Sequence, residues 1–282
     1  MHFPDDLFIN IKKPIDNAID YMVRNWGPFF DGISDGLRTM LFYIRSAVEI
    51  IPWWLLIILV FFAAYKTSKK LSSAILYSAL LFFIGLIGLW NMMNATLTII
   101  IASVIISLLL GFPLGLLVAQ SARANIIVRP VLDTMQTMPS FVYLIPAVML
   151  LGLGNVPAVV ATTIYAMPPI VRMTSHGIRQ VDAEVVEATK AFGATRFQML
   201  MKVLIPQALP TIMTGVNQTI MMAISMVVTS SMIGVTGLGS EVLKGINRLE
   251  SGRGFAAGTA IVIIAIIIDR LTQSLGKRKE KI

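Results

Sequence analysis

Cysteine is absent from the 282 residues, and only 13% of them are charged. Without cysteine there is no disulfide framework, no thiolate metal site, no cysteine nucleophile and no cysteine lipid anchor. Nothing matches Gly-x-x-x-x-Gly-Lys-Ser/Thr, so the chain has no phosphate loop with which to hydrolyse ATP itself. No carboxylate stands in the middle of an apolar run; Asp269 is at the end of one, beside Arg270. Proton-coupled carriers keep intramembrane carboxylates as relays, so their scarcity argues against that class. His176 sits in a basic stretch and reads as a solvated residue rather than a ligand, and no metal site is expected. The start, Met1-His2-Phe3-Pro4-Asp5-Asp6, is acidic with no apolar core behind it, so no secretory signal is expected.

Hydrophobic residues make up 56% of the chain. Average soluble domains are about 45–50% apolar and about 25% charged. The charges here leave long uncharged stretches, which is the composition of an integral membrane protein. The net charge of +8 does not imply nucleic acid, because the basic residues flank apolar runs, where they set membrane orientation. Seven spans are expected, at about 51–65, 71–90, 95–120, 139–153, 156–171, 208–233 and 255–271. A straight span needs roughly 20 residues. The first, fourth and fifth are shorter, so they borrow flanking residues or are broken helices.

Loop charge gives the sidedness. Lys66, Lys69 and Lys70, then Arg123 and Arg129, then Arg172, Arg179, Lys190, Arg196 and Lys202, then Arg270, Lys277, Arg278, Lys279 and Lys281 fall on one side, read as cytoplasmic. The alternating loops are poorer in basic residues. The N-terminus is then outside and the C-terminus inside. Residues 1–50 form an extracytoplasmic tail with seven acids and five bases, 51–275 the transmembrane domain with a cytoplasmic loop at 172–206, and 276–282 a basic tail. Within the first segment, Phe8, Ile11, Ile15, Ala18 and Met22 recur at helical spacing. Ile33, Leu37, Leu41, Ile44, Val48 and Ile51 do so again. Both read as amphipathic helices on a membrane surface or on the bundle, with Pro14 interrupting the first.

The longest polar stretch between spans is Asp182–Pro206. Asp182 to Ala188 reads as a short helix with acids in its first turn, where they suit the helix dipole. Gly193 is placed to end it in the left-handed conformation. An apolar-rich helix (Phe197, Leu200, Met201, Leu204) then reaches Pro206, with a second break expected at Pro210. Such a piece could transmit a push from a soluble partner into the bundle.

At these residues the chain resembles the importer-class ABC permeases. Their cytoplasmic loop has Glu-Ala-Ala, three residues, Gly, nine residues, then Ile-x-Leu-Pro. Here Glu187-Ala188-Thr189 is followed by Gly193 and by Val203-Leu204-Ile205-Pro206, with conservative departures at Thr189, Val203 and Ile205. The stretches 133–146, 167–172 and 235–239 are similar to the glycine betaine/proline betaine class within that family. The resemblance implies an all-α membrane protein with the importer-type permease fold. It implies that Glu184, Glu187, Ala188, Gly193 and Pro206 couple the chain to a separate ATPase. Two ATPase copies would use ATP and Mg, and this chain would need no cofactor. A second copy of the chain, an extracytoplasmic substrate-binding protein and the lipid bilayer complete the implied partners. Choline, carnitine or an amino acid remain open as solutes, as does a secondary carrier working alone.

Span six is the candidate lining of the path, through Asn217, Gln218, Met222, Ser225 and Thr229. A betaine carries a carboxylate and a quaternary ammonium that donates no hydrogen bond. A weakly polar path without fixed charge would pass it without trapping it. The same residues would serve equally as helix–helix glue. Gly111 and Gly115, around Pro113, read as a close-packing motif.

Overall fold

The computed structural model describes residues 12–277. The described residues contain helices and turns and no strand. A long helix α1 (Lys12–Glu49) leads into α2 (Trp53–Ser68) and α3 (Leu71–Leu86). Then come α4 (Trp90–Gln120), α5 (Ala122–Thr137), α6 (Leu144–Leu151) and α7 (Asn155–Arg179). Two short helices, α8 (Ala183–Ala191) and α9 (Arg196–Met199), precede α10 (Ile205–Ser230), and α11 (Leu238–Asn247) and α12 (Ser251–Lys277) follow it.

Among the described residues, four helical stretches are long and apolar enough to cross a membrane: Trp90–Gln120, Asn155–Arg179, Arg196–Ile233 and Ser251–Gln273. These correspond to the third, fifth, sixth and seventh expected spans. The other three are shorter helices. The first, α2, is bent by 85° against α1, and the fourth, α6, forms with α5 a pair bent by 113°. The second, α3, stops at Leu86, because Gly88 takes φ +74° and closes the turn into α4. The fifth span is longer than its sequence suggests. It passes Pro168 and Pro169 without breaking and runs on to Arg179. Residues 172–179 are therefore helix, and the turn that opens the loop to α8 comes at 180–182.

The two amphipathic helices expected at the N-terminus are one. Pro14 does not interrupt: among the described residues the helix runs through it from Lys12 to Glu49. Phe8 and Ile11 lie outside the described residues, as do residues 278–282 of the basic tail. The second half of α1 packs on the bundle. Leu41 joins Ile99, Val156 and Ile220 in the main core, with Leu37, Met40 and Ile44 against it. In the first half, 12–33, no residue is buried.

α7 is the centre of the fold, between α4 and α10. Lipid is as apolar as a protein core, so association of spans rests on close packing and hydrogen bonds rather than on the hydrophobic effect. The side chains follow that rule. A Cβ on Gly111 would stand 2.5 Å from Ile170 Cγ2, and one on Gly115 would stand 2.7 Å from Thr174 Cβ and 2.9 Å from the Val171 carbonyl oxygen. Ser107 donates to the Thr163 carbonyl at 3.0 Å across the same interface. On the other flank, a Cβ on Gly215 would stand 2.6 Å from Met173 Cβ. The glycine pair of α4 is thus the contact that seats α7. Overpacking a fitted core costs about 1–3 kcal/mol, more where backbone must move. Gly115→Leu is expected to lower the melting temperature of the purified chain by several degrees and its yield several-fold. Thermal unfolding monitored by size-exclusion chromatography measures this.

Candidate functional site

The Asp182–Pro206 segment is built by its own caps. The Asp182 carboxylate accepts from the Glu184 backbone N–H at 2.9 Å, so this acid caps α8 rather than lying within it. At the other end the Ala194 N–H donates to the Thr189 carbonyl and the Gly193 N–H to the Lys190 carbonyl. That paired closure is a Schellman motif, and it needs a left-handed residue after the cap. Gly193 supplies it, with φ +76°. The chain then reverses into α9 through a capping box: Thr195 accepts from the Gln198 N–H while the Gln198 side chain accepts from the Thr195 N–H. One π-helical turn, Leu200–Leu204, joins α9 to α10. The helix does not break at Pro210 as its sequence suggests. The wider turn before Pro206 makes room for the ring, and the helix continues through both prolines.

No residue of α8 is buried. Glu184, Glu187 and Ala188 are all exposed, at helical spacing that puts them on one face. Pro206 is exposed at the start of α10, away from that face in sequence and in element. The structure adds a residue that sequence reasoning missed. Phe192, the C-cap of α8, is 92% exposed. A single exposed apolar side chain is ordinary, but this ring stands at the end of the exposed helix α8 and is a candidate anchor for whatever that helix meets. Its position immediately before Gly193, in a segment too polar to be a span, was the available signal.

On α10 the five residues proposed for the path separate. Gln218, Met222, Ser225 and Thr229 lie with Thr214 within about 80° of one another, taking about 100° per residue. Thr214, Gln218 and Ser225 are exposed, and Met222 and Thr229 are partly so. This is a mildly polar stripe that the chain leaves uncovered. Asn217 falls outside the stripe. Its amide donates to Asp269 Oδ1 at 2.8 Å, and its carbonyl accepts from Thr272 Oγ1. Asn217 therefore ties α10 to α12. Asp269 does not turn to Arg270, whose Nε is 4.0 Å from Oδ2; it accepts from Asn217 and from Gln273 at 2.7 Å.

Two of the three stretches singled out by their resemblance, 133–146 and 167–172, meet in space. Asp133 of α5 pairs with Arg172 of α7, and the Tyr143 hydroxyl donates to the Met135 carbonyl. The Gly237-Leu238-Gly239 turn opens α11. The Leu238 N–H donates to Thr96 Oγ1 at 2.8 Å, and a Cβ on Gly239 would stand 3.0 Å from Val228 Cα. Glu241 follows, 6% exposed, accepting from Lys244 at 2.8 Å and from Arg253 at 2.7 Å. The hydrogen bond from Lys244 holds its carboxyl below the ordinary carboxylate range; burial opposes this, and Arg253 adds to it. The clamp fixes α11 to the start of α12.

Residues 111–281 match the model of the family described as "binding-protein-dependent transport system inner membrane component". The chain is 45% identical to the glycine betaine/proline betaine transport system permease protein ProW of Escherichia coli (strain K12), over 96% of this chain and 78% of that protein. It is also 45% identical to the glycine betaine transport system permease protein OpuAB of Bacillus subtilis (strain 168), over 96% of each. Among solved structures it is similar to a chain of the MetNI methionine ABC transporter in inward-facing conformations. That match has a TM-score of 0.56 and 24% identity, and it covers 65% of this chain and 90% of that one. At that identity the likeness is one of fold.

Proposed function

Because the chain belongs to the family of binding-protein-dependent transport system inner membrane components, a family of transporter permeases and not of enzymes, we propose that it admits glycine betaine- and proline betaine-type compatible solutes as the permease of an ATP-driven importer. The observation that carries the solute class is identity at 45% across 96% of the chain with permeases named for those solutes. The observation that supports the ATP-driven mechanism is α8, a capped helix with no buried residue, held clear of the bundle and closed by Gly193.

In this reading α8 seats in a cleft of a separate ATPase, of which two copies serve two copies of this chain. Glu187 meets a basic group of that partner, Ala188 permits close approach, and Phe192 fills a pocket. ATP and Mg are used there and not in this chain. Closure of the ATPase dimer draws the two α8 helices together, and the push passes through α9 and the π-turn into α10. The uncovered stripe of α10 then lines the path between the two copies, with hydroxyl, amide and thioether groups and no fixed charge. An extracytoplasmic binding protein delivers the solute.

Two measurements test the parts of this reading. Uptake of labelled glycine betaine by the assembled importer is expected to be competed by proline betaine. Uptake of choline or an amino acid with no uptake of betaine would replace the solute class. For orientation, a cysteine at Asp35, whose side chain is 75% exposed, is expected to react with a membrane-impermeant thiol reagent in intact cells. A cysteine at Lys190 is expected to react only after the cells are opened. The reverse pattern would place α8 outside and remove it from any ATPase.

A further inference from the structure

A cavity of about 370 Å³ lies between α5 and the last turns of α7, at the end of the bundle that carries the α8 loop. One wall is apolar. Val118, Leu132 and Val171, the buried cluster that joins α4, α5 and α7, contribute to it. The rest is basic. Arg129 of α5 and Arg172 and Arg179 of α7 line the cavity, and no acidic side chain does. Arg172 pairs with Asp133, which stands outside the lining. Arg179 donates from Nη2 to the Val118 carbonyl, a neutral group that leaves its charge uncompensated. Arg129 is exposed and has no hydrogen bond or ion pair among the described residues.

Basic residues at this end of the spans set membrane orientation, and any exposed position serves that purpose. Arg123 is such a residue, exposed and outside the cavity. Orientation does not ask three guanidinium groups to converge on one hollow. Each is permanently charged. Beside an apolar wall they repel one another, and Asp133 offsets one charge of the three. An anion of about two charges, with several acceptor oxygens, balances what is left. A carboxylate brings one charge and two oxygens. A phosphate monoester carries about −1.5 to −2 at neutral pH and has three strong acceptor oxygens. Guanidinium forks match such oxygens in pairs. Two of the three arginines are already held in place, Arg172 by Asp133 and Arg179 by the Val118 carbonyl, so less freedom is lost when a ligand arrives.

We propose that this cavity is a binding site for a phosphate monoester, either the headgroup of a phosphatidic acid or a free phosphomonoester. The site is separate from the α10 stripe, and the inference does not depend on which solute is transported. The ligand ties α5 to the end of α7. The turn at 180–182 and then α8 follow directly from that end, so an occupied site steadies the base from which α8 projects.

Thermal unfolding of the purified full chain in a neutral detergent tests it. Phosphatidic acid and glycerol 3-phosphate present the monoester. Phosphatidylglycerol and glycerophosphoglycerol present a diester of single charge. Each is titrated separately at an ionic strength matched with sodium chloride. The monoester compounds are expected to raise the melting temperature saturably, with half-saturation at least tenfold below that of the diesters. A rise with phosphatidic acid alone identifies a lipid headgroup as the source, and an equal rise with glycerol 3-phosphate identifies a free solute. Arg129→Gln and Arg123→Gln each change an exposed side chain, so both are expected to fold. Arg129→Gln is expected to raise the half-saturating concentration at least tenfold, and Arg123→Gln to leave it unchanged. Equal responses to monoester and diester, a response to neither, or equal effects of the two variants would overturn the proposal.

Discussion

Ala188→Trp is expected to abolish ATP-driven uptake while leaving the chain inserted and folded. Ala188 is exposed and belongs to a helix with no buried residue, so the larger ring strains nothing within the chain itself. Its effect falls on whatever α8 approaches. Glu187→Lys acts at the same face through charge, and like-charge contacts across an interface cost several kcal/mol. Each 1.4 kcal/mol is a tenfold change in affinity, so either variant is expected to lower co-purification of the ATPase at least tenfold, or to keep the complex and lose transport. An acidic substitution at the opposing basic residue of the ATPase is expected to rescue Glu187→Lys and not Ala188→Trp. Parental assembly and uptake in both variants would remove α8 from the coupling mechanism.

Gly193→Val is expected to uncouple the machine, with uptake falling at least tenfold. Nothing stands within 4 Å of a Cβ placed at Gly193, so no clash is involved and the effect is conformational. The backbone there has φ +76°. A residue with a Cβ gives up roughly 1–2 kcal/mol in that region, and a β-branched one more. The variant escapes by unwinding the Schellman closure, which redirects α8 relative to α9. Asparagine tolerates the left-handed conformation, so Gly193→Asn is expected to keep most of the uptake. Uptake, ATPase activity and membrane content measured for the three proteins separate the cases. Equal loss in the Val and Asn variants would mean that Gly193 is needed for close approach of a partner to the backbone rather than for its left-handed conformation.

Much of this was readable from residue types and spacing. The Gly111/Gly115 pair announced a close helix contact because a helix with two glycines one turn apart exposes its backbone there. Gly193 announced a left-handed closure for the same stereochemical reason. Proline was read less well. Pro14, Pro206 and Pro210 each suggested a break, and each lies within continuous helix; before Pro206 a π-turn makes room for the ring. Hydropathy also failed to give helix ends. The fifth span outruns its apolar stretch as far as Arg179, since α7 stays packed between α4 and α10 beyond it. Asn217 shows the limit on candidate path residues. Its type fitted a polar lining, but only the register of α10 against α12 shows that it faces Asp269. The position of Phe192 before Gly193 was readable, but that its ring is left exposed is a property of packing.

The most direct test of an ATP-driven permease is uptake of labelled glycine betaine into proteoliposomes. The complete set contains this chain, its ATPase and its binding protein, and each is omitted in turn. The reading of α8 as the coupling helix predicts uptake with ATP and the full set. It predicts none when the ATPase or ATP is left out, and none when Ala188→Trp replaces the parent chain. Uptake by this chain alone, without ATPase and without ATP, would contradict it and make the protein a carrier in its own right.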